Sequence, residues 1–160
     1  MITVIIGKAG TGKSTIAKML SSSYDRHIEA DEEVKKAYRE KKTIEFFRNH
    51  EILRNAIVDQ EINKDKLIGI LVSDKETKIE LEDYLFSAYI VPTIRYARHF
   101  NKSLLIDGIV PRFTSHFDQV IEMSISDDIR KAHLRKRGVS EQRIEELFEL
   151  QKEIKSTTPP

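Results

Sequence analysis

The chain has 160 residues and a mass of 18.6 kDa, enough for one domain or for one domain carrying a large insertion. Lys plus Arg is 27 against 26 for Asp plus Glu, and the resulting net charge of +1 argues against bulk electrostatic attraction to nucleic acid, leaving only a local basic patch open. With no cysteine, disulfide frameworks, thiolate zinc sites and cysteine nucleophiles are excluded. His27, His50, His99, His116 and His133 do not fall at metal-ligand spacing and read as ordinary residues. No apolar run approaches the ~20 residues of a membrane span, and the N-terminus lacks the basic start and apolar stretch of a signal peptide. A soluble, cytoplasmic chain without a membrane partner is expected.

In chain order, the first predicted strand is Thr3-Val4-Ile5-Ile6, apolar and β-branched, ending at Gly7. A loop leads into a helix from about Ser14, where Ile16, Met19 and Leu20 recur at i, i+3 and i+4 and should pack on a sheet. His27 to Ala30 is a weaker second strand, with Asp31 at the N-cap position of a helix over Glu32 to Lys41. Ser103 to Asp107 is the third strand and Asp118 to Ser124 the fourth. Strands alternating with helices predict an α/β fold with a short parallel sheet.

The 72 residues from Asp31 to Lys102 separate the second and third predicted strands, and nearly all read as helical. Ser73-Asp74-Lys75-Glu76 has the pattern of a capping box, with Leu81, Leu85 and Ala88 behind it at helical spacing. A crossover needs only one helix of about a dozen residues, so a helical insertion over about 31–102 is expected. The last helix begins at Glu141, with Ile144, Leu147 and Phe148 on one face, and the tail Ser156 to Pro160 should fray.

Gly7-Lys8-Ala9-Gly10-Thr11-Gly12-Lys13-Ser14 matches G-x-x-x-x-G-K-[ST] at each fixed position, between a predicted strand and a predicted helix. Glycines there let successive backbone N–H groups turn toward phosphate oxygens, and the helix N-terminus adds its free N–H groups and dipole. Lys13 should reach the β- and γ-phosphates of ATP and the Ser14 hydroxyl should ligate Mg2+. The nucleotide-binding set is then Gly7, Lys8, Ala9, Gly10, Thr11, Gly12, Lys13, Ser14 and Thr15. A GTPase would add Asn-Lys-x-Asp and Asp-x-x-Gly. Asn63-Lys64-Asp65 is one residue short of the first, and the second occurs nowhere. A small kinase is the class that remains.

Asp31 follows the second strand, at the sheet edge where a parallel fold places the phosphate loop. A carboxylate there can take the proton of an attacking hydroxyl or hold a magnesium-bound water. Asp107 closes the third strand, the position of a second magnesium-side acid. Residues Arg130 to Gly138 pack five cations into nine positions after the fourth strand, where small kinases carry a lid, here about 127–140. Arginine forks suit phosphate oxygens. Arg135 is assigned to the nucleotide and Arg137 to catalysis.

In these pieces the chain resembles the dephospho-coenzyme A kinases, of the P-loop nucleoside-monophosphate-kinase-like group. The resemblance rests on Ile5 to Thr15, Glu29-Ala30-Asp31, Leu67 to Ile90, Leu105-Ile106-Asp107, and Asp118 to Gln151 with Arg135-Lys136-Arg137-Gly138-Val139-Ser140-Glu141, in family order over most of the chain. It implies a P-loop three-layer fold acting as a single kinase domain in coenzyme A biosynthesis. It further implies transfer of the ATP γ-phosphoryl group to the 3′-hydroxyl of dephospho-CoA, with Asp31 as the matching catalytic acid residue and the acceptor held by the insertion. Three features depart from the family pattern. Phe86-Ser87 stands where members carry His-Pro, Gly108-Ile109-Val110-Pro111-Arg112 follows Asp107, and members continue past the Gln151 region into a fifth strand.

The acceptor is expected to be large. Phe46, Phe47, Tyr84, Phe86 and Tyr89 offer faces for an adenine, about half of them being core, while Arg48, Arg54 and Arg95 can meet a pyrophosphate. Two alternatives stand beside this reading. One is a kinase acting on a nucleoside monophosphate or a polynucleotide 5′-hydroxyl, and the other is a non-catalytic nucleotide-binding module.

Overall fold

The fold is that of a computed structural model, which describes residues 1–152. The predicted fraying of Ser156 to Pro160 lies outside the described residues. The chain forms two compact units, one of Met1–Ala30 with the stretch from Ile94 onward, the other Asp31–Thr93.

The first unit is built on four parallel strands, β1 (Ile2–Ile6), β2 (Arg26–Glu29), β5 (Leu104–Asp107) and β6 (Gln119–Glu122), in the order β2-β5-β1-β6. It is an α/β arrangement, a small parallel sheet flanked by helices. All five residues of β1 and all four of β5 are buried, because central strands of such a sheet are covered on both faces. The outer strands β2 and β6 keep exposed positions. Ile5 and Leu105 share one sheet face and pack with Ala17 of α1 (Lys13–Leu20), while Ile16, Leu20, Tyr24, Ile121 and Met123 close around them.

Two carboxylates tie the N-terminal edge of this sheet. Asp118 Oδ2 accepts the Ile2 N–H at 2.7 Å. Asp25 Oδ2 accepts the Ser103 N–H at 2.7 Å, and Ser103 Oγ in return accepts the Asp25 N–H at 2.8 Å. Those backbone N–H groups, the largest influence on each acid, hold both carboxyls below the usual carboxylate range. Among the described residues, no helix is long and apolar enough to cross a membrane.

The second unit has its own core of Ala37, Phe47, Leu53, Ala56, Leu67, Leu81 and Leu85. It is mostly helical, as the sequence pattern predicts, and adds one short hairpin. Beside α2 (Ala30–Ala37), α3 (Lys41–Asn49), α4 (Lys64–Ser73) and α5 (Lys75–Leu85) it holds a hairpin of β3 (Ile57–Val58) and β4 (Glu61–Ile62). Asp59 and Gln60 turn that hairpin at φ 50 and 68, the two-residue geometry that usually selects Asn-Gly. Three local expectations are corrected. The cap of α5 is Asp74, whose carboxylate accepts the Thr77 N–H, while Ser73 ends α4 by donating its hydroxyl to the Gly69 carbonyl. Asp31 sits inside the first turn of α2, which opens at Ala30, so it is not an N-cap. The helix expected over Glu32 to Lys41 ends at Ala37, and α3 starts anew at Lys41.

A π-helical turn, Phe86–Ile90, joins α5 to α6 (Val91–His99). Pro92 has no N–H and its ring clashes with a normally placed carbonyl four residues back, which favours the wider turn. Phe47 and Phe86 are buried and serve the core. Phe46 and Tyr84 stack on each other at 4.0 Å, and the Tyr89 hydroxyl lies 2.6 Å from that of buried Thr43.

Candidate functional site

In a parallel sheet all C-terminal strand ends lie on one edge, and ligands of open α/β sheets bind outside it. Here that edge presents the Gly7–Ser14 loop after β1, Glu29 at the end of β2, Asp107 at the end of β5 and Met123 after β6. The loop turns at Thr11, whose N–H and hydroxyl both donate to the Lys8 carbonyl. Gly12 caps α1 at φ 86, a left-handed conformation that a Cβ would strain, and no side chain caps the helix. The Gly12 carbonyl accepts the Thr15 and Ile16 N–H groups and so starts the helix.

Helices α7 (Asp127–Lys136) and α8 (Glu141–Gln151) hold the middle of the loop. Arg130 Nε donates to the Ala9 carbonyl at 2.9 Å. His133 Nδ1 lies 2.7 Å from the Gly10 carbonyl, which can only accept, so this ring nitrogen carries the proton. Gln151 Oε1 accepts the Ala9 N–H at 2.8 Å. Gly10 has φ 84, and a Cβ there would stand 2.6 Å from the Arg130 carbonyl oxygen. Gly10 is thus constrained both by its left-handed φ and by the approach of α7. Arg130 is 3% exposed, donates to Asp127 at 2.8 Å and lies 4.1 Å from the Phe148 ring centre. Its NH2 nitrogen is buried and has no hydrogen-bond partner among the described residues. A cleft open to solvent runs beside these groups, with Gly7, Lys8, Thr11, Ser124, Asp127 and Arg130 in its lining.

The second feature of this edge is a cross-strand cluster. Glu29 and Asp107 are register partners on β2 and β5, and His27 precedes Glu29 by two, so all three project to one face. That is the face on which Leu105 meets α1. His27 Nε2 donates to Asp107 Oδ2 at 2.8 Å, and one ligand atom from each of His27, Glu29 and Asp107 fits within a mutual 4.8 Å. Asp107 is 4% exposed. The five histidines were expected to be ordinary residues. His27 lies beside two carboxylates that sequence spacing cannot display, because neighbouring strands contribute them.

The remaining predicted residues fall as follows. Lys13 and Ser14 are the first two residues of α1, both half-buried, and Thr15 is exposed behind them. Asp31 belongs to the second unit and is exposed; its charge helps push the buried Tyr38 hydroxyl up, after the larger effect of burial itself. Arg135 is held by Glu141, Nε to Oε1 at 2.6 Å and NH2 to Oε2 at 3.2 Å, which raises the guanidinium and lowers the carboxyl. Arg137 is the exposed C-cap residue of α7, ahead of Gly138 at φ 83. Sequence reasoning assigned neither Arg130, His133 nor Gln151 to the loop. The available signal was their helical spacing, three positions between Arg130 and His133, which sets both on one face of α7.

No family model matches the chain. Among solved structures it is similar to the crystal structure of TT1252 from Thermus thermophilus, at a TM-score of 0.73 and 20% sequence identity, over 95% of this chain and 78% of that one. At that identity the likeness speaks for the shared α/β fold.

Proposed function

We propose that the chain is an ATP-dependent phosphotransferase of the P-loop kind, resembling the dephospho-CoA kinases, whose acceptor is the 3′-hydroxyl of dephospho-CoA. The carrying observation is the Gly7–Ser14 loop, which joins the C-terminal end of a central parallel strand to a helix N-terminus whose N-cap is a glycine. Such a loop offers backbone N–H groups and a positive dipole end to an anion. Lys13 adds a cation for the β- and γ-phosphates, and Ser14 adds a hydroxyl for the metal. Gly7 to Thr15 form the cradle.

The donor set suits Mg2+, a hard ion that takes oxygen ligands: the Ser14 hydroxyl at the start of α1 and the Asp107 carboxylate on the sheet face that α1 covers. When bound, Mg2+ neutralises charge on the transferring phosphoryl group. Asp31 follows Glu29 by two residues and is the acid that the resemblance assigns to the acceptor hydroxyl, as proton acceptor or as holder of a metal-bound water. Arg137 is free of the Glu141 ion pair and would meet charge developing in transfer, with Arg135 on the nucleotide. Arg130 and His133 position the loop through the Ala9 and Gly10 carbonyls.

The test is to incubate the protein with labelled ATP, Mg2+ and a panel of dephospho-CoA, nucleoside monophosphates and 5′-hydroxyl oligonucleotides. Label should pass to dephospho-CoA, and Lys13→Ala should abolish the transfer while circular dichroism stays unchanged. Label on another acceptor moves the protein to a different kinase class. ATP binding without transfer to any acceptor leaves a nucleotide-binding module.

A further inference from the structure

We infer that His27, Glu29 and Asp107 form a site for a borderline divalent transition metal, of the Mn2+, Co2+ or Zn2+ type, that binds without nucleotide. Two carboxylates facing each other across adjacent strands repel and need compensation. Glu29 is half-buried, with no side-chain hydrogen bond or ion pair among the described residues, while Asp107 is 4% exposed. The His27 imidazole answers them through Asp107. Metal bonds of about 2.1 Å at right angles place ligand atoms about 3 Å apart. The 2.8 Å between His27 Nε2 and Asp107 Oδ2 is already close to that, and Glu29 lies within the same 4.8 Å.

The donor chemistry then selects the ion. One imidazole nitrogen with two carboxylate oxygens disfavours Mg2+, which prefers oxygen and dehydrates reluctantly, and suits metals that accept both donor types. Three protein ligands leave coordination positions open at the C-terminal edge of the sheet, where a ligand of this fold class would arrive. The site shares Asp107 with the magnesium role proposed above but does not rest on that role or on nucleotide binding.

Chelator-treated full-length protein is titrated calorimetrically with Co2+ and separately with Mg2+, without nucleotide. One equivalent of Co2+ should bind, at least about tenfold more tightly than Mg2+. His27→Ala and His27→Asn should each weaken Co2+ by at least about tenfold and move Mg2+ less, and Glu29→Gln should weaken both ions. His99→Ala, a change at an exposed histidine of α6, should alter neither. Paramagnetic Co2+ should shift one histidine ring resonance that is missing from His27→Ala. Equal affinities for the two ions, no Co2+ binding, or Co2+ affinity retained in both folded His27 variants overturns the proposal. Transfer activity is not read in these titrations, so they fail or succeed apart from the kinase reading.

Discussion

Gln151 and Ala9 stand 142 residues apart in the chain, and the Gln151 side-chain oxygen accepts the Ala9 N–H at 2.8 Å. The last described turn of α8 thereby fixes a loop that the first strand launches. Ala9 is fixed from both sides, since its carbonyl accepts from Arg130. A glycine-containing loop has large conformational freedom to lose. Three side chains from later helices, Arg130, His133 and Gln151, hold one of its geometries.

Gln151→Ala removes the acceptor from a part-buried N–H. A net hydrogen bond of this kind contributes about 1 kcal/mol, or a fall in Tm of roughly 2–4 °C for a chain of this length. The specific readout is the Ala9 amide, whose hydrogen exchange should accelerate more than that of the β1 amides. Unchanged exchange at Ala9 would show that the loop holds itself.

Arg130 combines packing on Phe148 with the bond to Ala9, and its partner Asp127 has a side chain 70% exposed. Loss of the guanidinium leaves Asp127 to water at small cost, so the damage should fall on the loop and the Phe148 contact. We expect Arg130→Ala to lower stability by about 2 kcal/mol in urea denaturation. Arg130→Met should recover part of it, because the apolar stem is retained. Equal losses in the two variants would assign the whole effect to the polar contacts.

Asp31→Asn separates chemistry from helix stability. Asp31 lies in the first turn of α2, where a carboxylate contributes about 0.3–1 kcal/mol through the helix dipole. A general base contributes about 10²–10⁴ in kcat. With dephospho-CoA as acceptor, kcat should fall on that scale while ATP affinity and Tm change little. A small loss of Tm with kcat intact would reduce Asp31 to a helix residue.

The Arg135–Glu141 pair is more than half exposed on both sides, and such pairs contribute about 0–1 kcal/mol. Arg135 can therefore leave Glu141 for a phosphate at little cost. Glu141→Gln should leave stability nearly unchanged, while Arg137→Ala should lower kcat/KM at least about tenfold and Arg135→Ala less. Two near-neutral arginine variants would make the basic run a solvated face.

The parallel sheet was legible because buried strands of such sheets read as apolar runs: the expected Thr3 to Ile6 and Ser103 to Asp107 each differ by one residue at the start from the strands Ile2–Ile6 and Leu104–Asp107. Edge strands carry less signal, and β6 is shorter at both ends than Asp118 to Ser124 suggests. The Asp59-Gln60 hairpin was invisible, since neither residue advertises a left-handed turn as Gly does. Ser73 misled because it and Asp74 are both good caps, and the choice between them depends on where α4 stops. The glycine loop is local, so its setting between a strand and a helix could be read. The His27 cluster and the Arg130 clamp join residues 80 and 121 positions apart, a relation no local pattern contains.

The last prediction concerns acid. The Asp25 carboxylate accepts the Ser103 N–H and hydroxyl, and these bonds depress its folded-state pKa below its ordinary value. A depressed acid stabilises the fold fully above its unfolded pKa, about 3.9, and the contribution is lost as pH falls through the lower folded value. Asp118 behaves alike through the Ile2 N–H and then Arg98, so both protections vanish in the same acid window. Thermal melts should show Tm falling steeply below about pH 4. Asp25→Asn keeps an oxygen acceptor that does not titrate there, so its Tm should be lower than wild type at neutral pH and should fall less from neutral pH to about pH 3. Asp118→Asn should do the same, and the two effects should add if the clamps act independently. Parallel Tm–pH curves for wild type and both variants would show that neither carboxylate contributes to the acid sensitivity of the sheet edge.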